Sequence, residues 1–460
     1  HPPGYPSERR YITDVLLTEF LGLDHVMEET RARDVEISLN EDVDGTRVVM
    51  PDVLFGIPPE TWLTEDSLPR RPLQRHRLQS SGLRPTLVSP VVPVIYGDPP
   101  GDGRLVYEDE AGIRLGVDVF GAAFFMLTRY EELVRIERDP HSRFSVAGSL
   151  AAVEDLVDRP IVNEYLELLW SAMASLWPGL RRKPRQFRLR PTHDIDRRFC
   201  TGATVRELAR SAAGDVVRRH DVPLALRRVE TYVRKRSGDP DADLCDTFDR
   251  LMDATERRGL RSSFYFIADH TDPAMDGDYS LDDPWIAPVL RRIHERGHDV
   301  GLHPSYDTYL DPAQTRAELE RLVAVCERLG IRQSRWGGRQ HFLRWENPTT
   351  WQNWDDAGLA YDSTLGFADR GGFRCGVCFE YPVFNLRTRS RLRLRERPLV
   401  AMDTALLEHA KLGSGDALEE IARLKRRCRL FDGEFTLLWH NTRARSPRER
   451  RLFEASLDAA

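Results

Sequence analysis

The sequence predicts an α/β chain: a (β/α) barrel over residues 185–460, preceded by an α+β unit over residues 1–184. Three observations carry that prediction. From Phe187 onward, short β-type runs alternate with helix-type runs, giving seven or eight strands in about 270 residues. Nearly every one of those runs ends on an ionisable residue, which is where a barrel gathers its mouth. The basic tract Arg181-Arg-Lys-Pro-Arg185, following Pro178-Gly179, separates this pattern from a different one upstream. With 41% hydrophobic and 30% charged residues the composition is that of a packed globular chain, not a disordered one. A net charge of -6 gives no electrostatic footprint for nucleic acid.

No apolar run approaches the ~20 residues of a membrane span. Six irregularly spaced cysteines make no disulfide framework, and Cys375-Gly-Val-Cys378 lacks the second pair of a structural zinc site. The expected compartment is the cytoplasm. The opening residues, His1-Pro2-Pro3-Gly4, have no signal character, and a trimmed leader stays open.

In the upstream unit, Tyr11 to Leu23 carries apolar residues at helical spacing. Val35 to Leu39 and Thr46 to Met50 alternate like paired strands, with Asp44-Gly45 as their turn. Val91 to Tyr96 is a further strand, and Asp118 to Glu132 and Val162 to Trp177 are helices with apolar faces. This unit holds no paired ionisable chemistry. It is expected to shape a cleft without supplying a catalytic group, and His141 reads as a solvated turn residue.

Downstream, the strand at Phe187 is followed by a basic helical stretch, Val205 to Arg236, and a helix from Asp246 to Arg258. The strand from Ser262, the helix Pro284 to Arg296 and the strand Asp299 to His303 come next. Asp311-Pro312 supplies an N-cap and a first-turn proline for the helix to Leu329. A strand to Gly337, a helix from Pro348 to Ala357 and strands at Leu359–Asp362, Tyr381–Leu386 and Leu399–Asp403 follow. The helix Ala417 to Cys428 then leads to a last strand ending on His440.

The chemistry concentrates at strand ends. In Thr192-His-Asp194-Ile-Asp196 the two carboxylates are two residues apart, so an extended chain points both the same way. Like charges that close need a cation or a proton between them. Asp269, His303, Arg339, Asp362, Asp403 and His440 also close predicted strands, and in a barrel they meet at one mouth.

These motifs, with Gly301-Leu-His303-Pro-Ser-Tyr-Asp307, Arg339-Gln-His and Leu438-Trp-His440, resemble the polysaccharide deacetylase family (NodB homology, carbohydrate esterase family 4) over roughly residues 187 to 445. The upstream segments Asp118-Val-Phe-Gly, Arg129-Tyr-Glu-Glu and Asp139-Pro-His-Ser-Arg143 resemble an N-terminal domain found on a bacterial surface-polysaccharide branch of that family. The resemblance implies a distorted NodB-type barrel. It implies Asp194 as catalytic base, Arg339 as the residue that orients it, and His440 as general acid. It implies a divalent metal on Asp196 and His303. Asp307 stands where the family has its second histidine, and is expected to serve in its place. Zn²⁺ is the first expectation, and the oxygen-rich set also suits Mn²⁺, Fe²⁺ or Co²⁺. Where the family has Arg-x-Pro, this chain has Arg339-Gln-His.

The implied activity is removal of an N- or O-acyl group, such as acetyl, from a sugar or polysaccharide in surface-glycan metabolism. A carbohydrate partner would be held by Trp336, Trp345, Tyr306 and Trp439 through stacking, and by Asp362 and Asp403 through hydrogen bonds. Two other readings use the same mouth. One is a metal-free glycoside hydrolase working with Asp194 and either Asp362 or Asp403. The other is a glycan-binding protein without catalysis. Oligomeric state is open.

Overall fold

A computed structural model of the chain describes residues 1–40, 45–78, 82–99, 104–197, 205–217, 220–237 and 247–458. The N-terminal part contains the strands β1 (Val35–Ile37), β2 (Arg47–Met50), β3 (Gln74–Arg77), β4 (Val91–Val94), β5 (Val106–Asp109) and β6 (Gly112–Leu115). They form a four-stranded sheet, β1-β2-β6-β5, and a separate β3-β4 pair. Asp44, expected in the β1–β2 turn, lies outside the described residues. Helix Val119–Leu127 is buried along its whole length. Asp118 caps it through Gly121 N and also accepts from Val53 N and Leu54 N, tying the helix to the sheet. Burial pushes the Asp118 carboxyl up to about 6 despite those amides.

The second part is a nine-stranded sheet built from β7 (Arg188–Ile195), β8 (Ser263–Phe266), β9 (Asp299–Leu302), β10 (Gly337–Gly338), β11 (Tyr361–Asp362), β12 (Tyr381–Asn385), β13 (Ser390–Glu396), β14 (Ala401–Met402) and β15 (Glu434–Leu438). Their order is β12-β13-β11-β10-β9-β8-β7-β15-β14, all parallel except the antiparallel β12-β13 pair. Helices lie between the parallel strands, as crossover connections require. The barrel expected from the sequence is not closed by a ladder: among the described residues the outer strands β12 and β14 do not pair. The gap is crossed by the chain itself between β13 and β14, where Leu399 N donates to Leu365 O. The basic stretch Val205 to Arg236 is two helices, Val205–Val217 and Val222–Arg236, not one.

Inside the sheet, Tyr265 and Tyr361 meet through their hydroxyls at 3.4 Å. Their rings fit because the neighbouring strands carry glycine. A Cβ on Gly301 would sit 2.6 Å from the Tyr265 ring, and one on Gly337 would sit 2.3 Å from the Tyr361 ring. The rings fill the interior beneath Arg339, whose guanidinium lies 5.1 Å from the Tyr265 ring centre.

One apolar core runs through both parts, from Tyr5 to Leu457. Tyr11 and Phe124 pack on Phe384 at 4.8 and 5.5 Å between ring centres. Tyr381 Oη donates to Leu127 O, and Tyr11 Oη to Pro382 O. No helix among the described residues is long and apolar enough to cross a membrane.

Candidate active site

The site is built from the C-terminal ends of β7, β9, β10, β14 and β15. Strand β7 alternates two faces. Its outer face carries His193, whose Nδ1 faces Trp439 O at 2.8 Å and whose Nε2 faces Ser262 Oγ at 3.2 Å. Burial holds the His193 pKa down at about 4, so this is a neutral core histidine. The inner face carries Thr192 and Asp194, and Asp196 follows just past the strand end.

Asp194 is held by Arg339, which has no exposed surface. Arg339 Nη1 donates to Asp194 Oδ1 at 2.8 Å and to Thr192 Oγ1 at 3.0 Å; its Nε and Nη2 donate to Ser363 O and Oγ. All three guanidinium nitrogens are therefore engaged, and Asp194 receives a fixed, buried partner. His303 follows β9. Its Nδ1 donates to the Arg339 carbonyl at 2.6 Å, which turns Nε2 inward, 3.3 Å from Asp196 Oδ1 and 3.9 Å from Asp194 Oδ2.

A second histidine arrives from a place the sequence reading did not assign. His341, two residues after Arg339, faces Asp276 Oδ1 through Nδ1 at 3.0 Å and presents Nε2 to Asp196 Oδ1 at 3.9 Å. Asp196, His303 and His341 offer one ligand atom each, all within 4.8 Å of one another. Asp196 Oδ1 is covered and has no hydrogen bond, since its 3.3 Å approach to His303 Nε2 is out of line. The carboxylate as a whole keeps 29% exposure and opens to the mouth. Burial opposes its charge, yet His440, His303 and His341 together hold its pKa well below the usual carboxylate range. A divalent ion fits this cradle. Two imidazole nitrogens and one carboxylate oxygen converge, each imidazole is aimed by a hydrogen bond on its far nitrogen, and one oxygen lacks a partner.

Asp307 is not part of that group. It is 56% exposed and pairs with Arg344 Nη1 at 2.7 Å. On either side of it, Ser305 N and Thr308 Oγ1 both donate to the buried Glu318 carboxylate, which fixes the turn that carries Asp307. The third donor expected of Asp307 is offered by His341 instead.

Opposite Asp194, His440 closes β15. Its Nδ1 and backbone N both meet Asp403, at 2.6 and 2.9 Å, and its Nε2 faces Asp196 Oδ2 at 3.6 Å. Burial disfavours the imidazolium, but Asp403 and Asp196 outweigh it and hold the His440 pKa at about 10. Asp403, expected to bind substrate, is buried beneath His440 and touches the mouth only through it.

The other expected sugar contacts divide. Trp345 is core, edge-on to Trp351 at 4.7 Å. Trp439 is core, its Nε1 donating to Arg443 O and its ring packed on Phe453. Trp336 precedes β10, at the end of the strand away from Arg339, and packs on the core. Asp362 is fully buried beside Glu396, and desolvation pushes it up to about 7. Its Oδ1 is taken by Thr364. Tyr306 is buried under Arg344, its hydroxyl 2.8 Å from His141 Nδ1 of the N-terminal part. A small apolar cluster, Leu343, Leu399, Met402, Ala405 and Leu438, lines the strand ends beside His440.

Comparisons with known proteins add the following. The model of a family of unknown function (DUF7033) matches residues 2–178. No curated protein matches the chain. Among solved structures, the chain is similar to a Mycobacterium smegmatis protein described as a polysaccharide deacetylase (16% identity, 60% of this chain, 84% of that one, TM-score 0.37). It is also similar to an allantoinase (14% identity, 61% and 85%, TM-score 0.34) and a Bacillus cereus polysaccharide deacetylase (11% identity, 60% and 86%, TM-score 0.29).

Proposed function

We propose that this chain is a metal-dependent hydrolase that removes an acyl group, acetyl or similar, from the nitrogen or oxygen of a sugar or polysaccharide, in surface-glycan metabolism. One observation carries the reading. Asp196, with an oxygen lacking any hydrogen bond, lies between two aimed histidines and has an Arg-held carboxylate on one side and a carboxylate-backed imidazolium on the other. The motif resemblance supplies the substrate class.

Asp196, His303 and His341 would hold the ion. The N,N,O donor set is that of catalytic zinc sites and also suits Fe²⁺. When bound, such an ion lowers the pKa of water and polarises an acyl oxygen. The chain's own residues do the rest. Asp194, fixed by Arg339, accepts the proton of the attacking water. His440, charged and held by Asp403, delivers a proton to the departing nitrogen or oxygen.

The glycosidase reading finds less support, because it needs a second free carboxylate. Asp362 is fully buried with its Oδ1 held by Thr364, and Asp403 is engaged by His440. The binding-only reading loses Trp345 and Trp439 to the core.

The test is acetate release from N- and O-acetylated glycosides by protein loaded with Zn²⁺, Mn²⁺ or Fe²⁺. Activity should disappear on chelation and return with the ion. Asp194→Asn should lower turnover at least about 10³-fold, a barrier of about 4 kcal/mol, while ion content is unchanged. Release of reducing ends without acetate would contradict the reading.

A further inference from the structure

We propose that the Asp139–Arg143 turn of the N-terminal part is a positioning element for the ion site, holding His341 in place from outside the sheet. This rests on the ion reading of Asp196, His303 and His341 given above.

His341 opens a short helical turn whose next two residues, Phe342 and Leu343, have φ of 59° and 56°. Neither is glycine, so both sit in a region that side chains rarely occupy, and such backbone persists only when its surroundings fix it. From the sheet side, support comes through His341 N to Pro304 O and Gln340 N to Thr364 Oγ1. The outward side is closed by the N-terminal part. Arg143 Nη1 donates to Phe342 O at 3.1 Å, and Arg344 Nε donates to His141 O at 3.0 Å. The His141 ring lies on the Phe342 ring at 4.8 Å.

The same turn also reaches the group that aims His341. His141 Nδ1 meets Tyr306 Oη at 2.8 Å, and Tyr306 N donates to Asp276 Oδ1 at 2.7 Å. That is the carboxylate oxygen that receives His341 Nδ1. One loop therefore braces both the backbone that carries the third ligand and the carboxylate that orients it. The loop is itself stiff: Asp139 accepts from His141 N, Arg143 N and Arg143 Nε. Neither His141 nor Arg143 reaches Asp194, Asp196 or His440 among the recorded contacts of the described residues, so they are positioning residues.

The experiment is Zn²⁺ affinity of the full chain, by competition with a chromophoric chelator, in a double-mutant cycle. Arg143→Ala and His141→Ala should each weaken Zn²⁺ binding about 10-fold or more, the loss typical when a ligand's outer support is removed. In the His341→Ala background, Arg143→Ala should cost nothing further, because the ligand it positions is gone. Arg143→Lys, which keeps the charge but not the fork, serves as the second variant should Arg143→Ala fold poorly, and should weaken binding in the same coupled way. Unchanged affinity in these variants, or an equal loss with and without His341, would overturn the proposal. A wild-type chain whose Zn²⁺ binding does not depend on Asp196 and His303 would instead mean that the ion reading itself has failed.

Discussion

At the residue scale the site uses one device twice: a buried carboxylate on the far nitrogen of an imidazole. Asp276 does this for His341, and Asp403 for His440. For a ligand histidine the carboxylate fixes the tautomer and aim, so Asp276→Asn should lower ion affinity about 10- to 100-fold with the fold intact, as read by ion titration and circular dichroism. For an acid the carboxylate sets the charge. Asp403 raises the His440 pKa, so Asp403→Asn lowers it, and His440 loses its proton at a lower pH. The alkaline limb of the activity profile should move down in pH, and amide substrates should suffer more than activated esters, whose leaving group departs unaided. A profile that does not move would detach Asp403 from the chemistry. How much of this was legible in the sequence varies by residue. Asp194, Asp196, His303, Arg339 and His440 all follow from strand-end position and motif order. Asp276 sits in a loop with no local signal. His341 had a weak one, its place two residues after Arg339, where an extended chain returns to the same face.

At the scale of elements, the strands that carry the site are short and depend on glycine. A Cβ on Gly338 would lie 1.8 Å from Leu302 O, against the strand that bears His303. No rotamer relieves a backbone contact, so Gly338→Ala should cost about 3 kcal/mol and displace Arg339 from Asp194. Denaturant unfolding checks the first part and loss of turnover the second. Strand β13 escaped the sequence reading although its pattern is plain afterwards. Leu392, Leu394 and Glu396 face inward while Arg391, Arg393 and Arg395 face out. Three arginines in seven residues resemble a solvated loop, and here they are the outer face of a strand. The basic stretch Val205 to Arg236 misled the other way, because helical periodicity continues on both sides of the break and does not mark it.

At the scale of the whole molecule, the two parts share one core, and an ion-pair knot fastens them. Glu132 of the N-terminal part accepts from Arg129 and from Arg374 of the other part, and Arg129 and Thr128 carbonyls receive Asn347 Nδ2. This accounts for the Arg129-Tyr-Glu-Glu segment as structure, not chemistry. Burial opposes the Glu132 charge, but Arg374 and Arg129 prevail and hold its pKa at about 2. A folded pKa depressed from the ordinary 4.5 stabilises above that value, by about 3 kcal/mol, and the stabilisation is lost as pH falls through about 2. Glu132→Gln should therefore lower stability at neutral pH by about 3–5 kcal/mol and flatten the acid unfolding curve between those limits.

The central claim, that His341 and not Asp307 completes the ion site, is tested most directly by calorimetric titration of Zn²⁺ into the wild-type chain, His341→Ala and Asp307→Ala. The account predicts that His341→Ala weakens binding about 100-fold or more, the loss of a ligand exceeding that of an outer support. Asp307→Ala should change it by less than about 5-fold, since the carboxylate lost is half-exposed and pairs only with Arg344 among the described residues. Tight binding that survives His341→Ala but disappears with Asp307→Ala would contradict it.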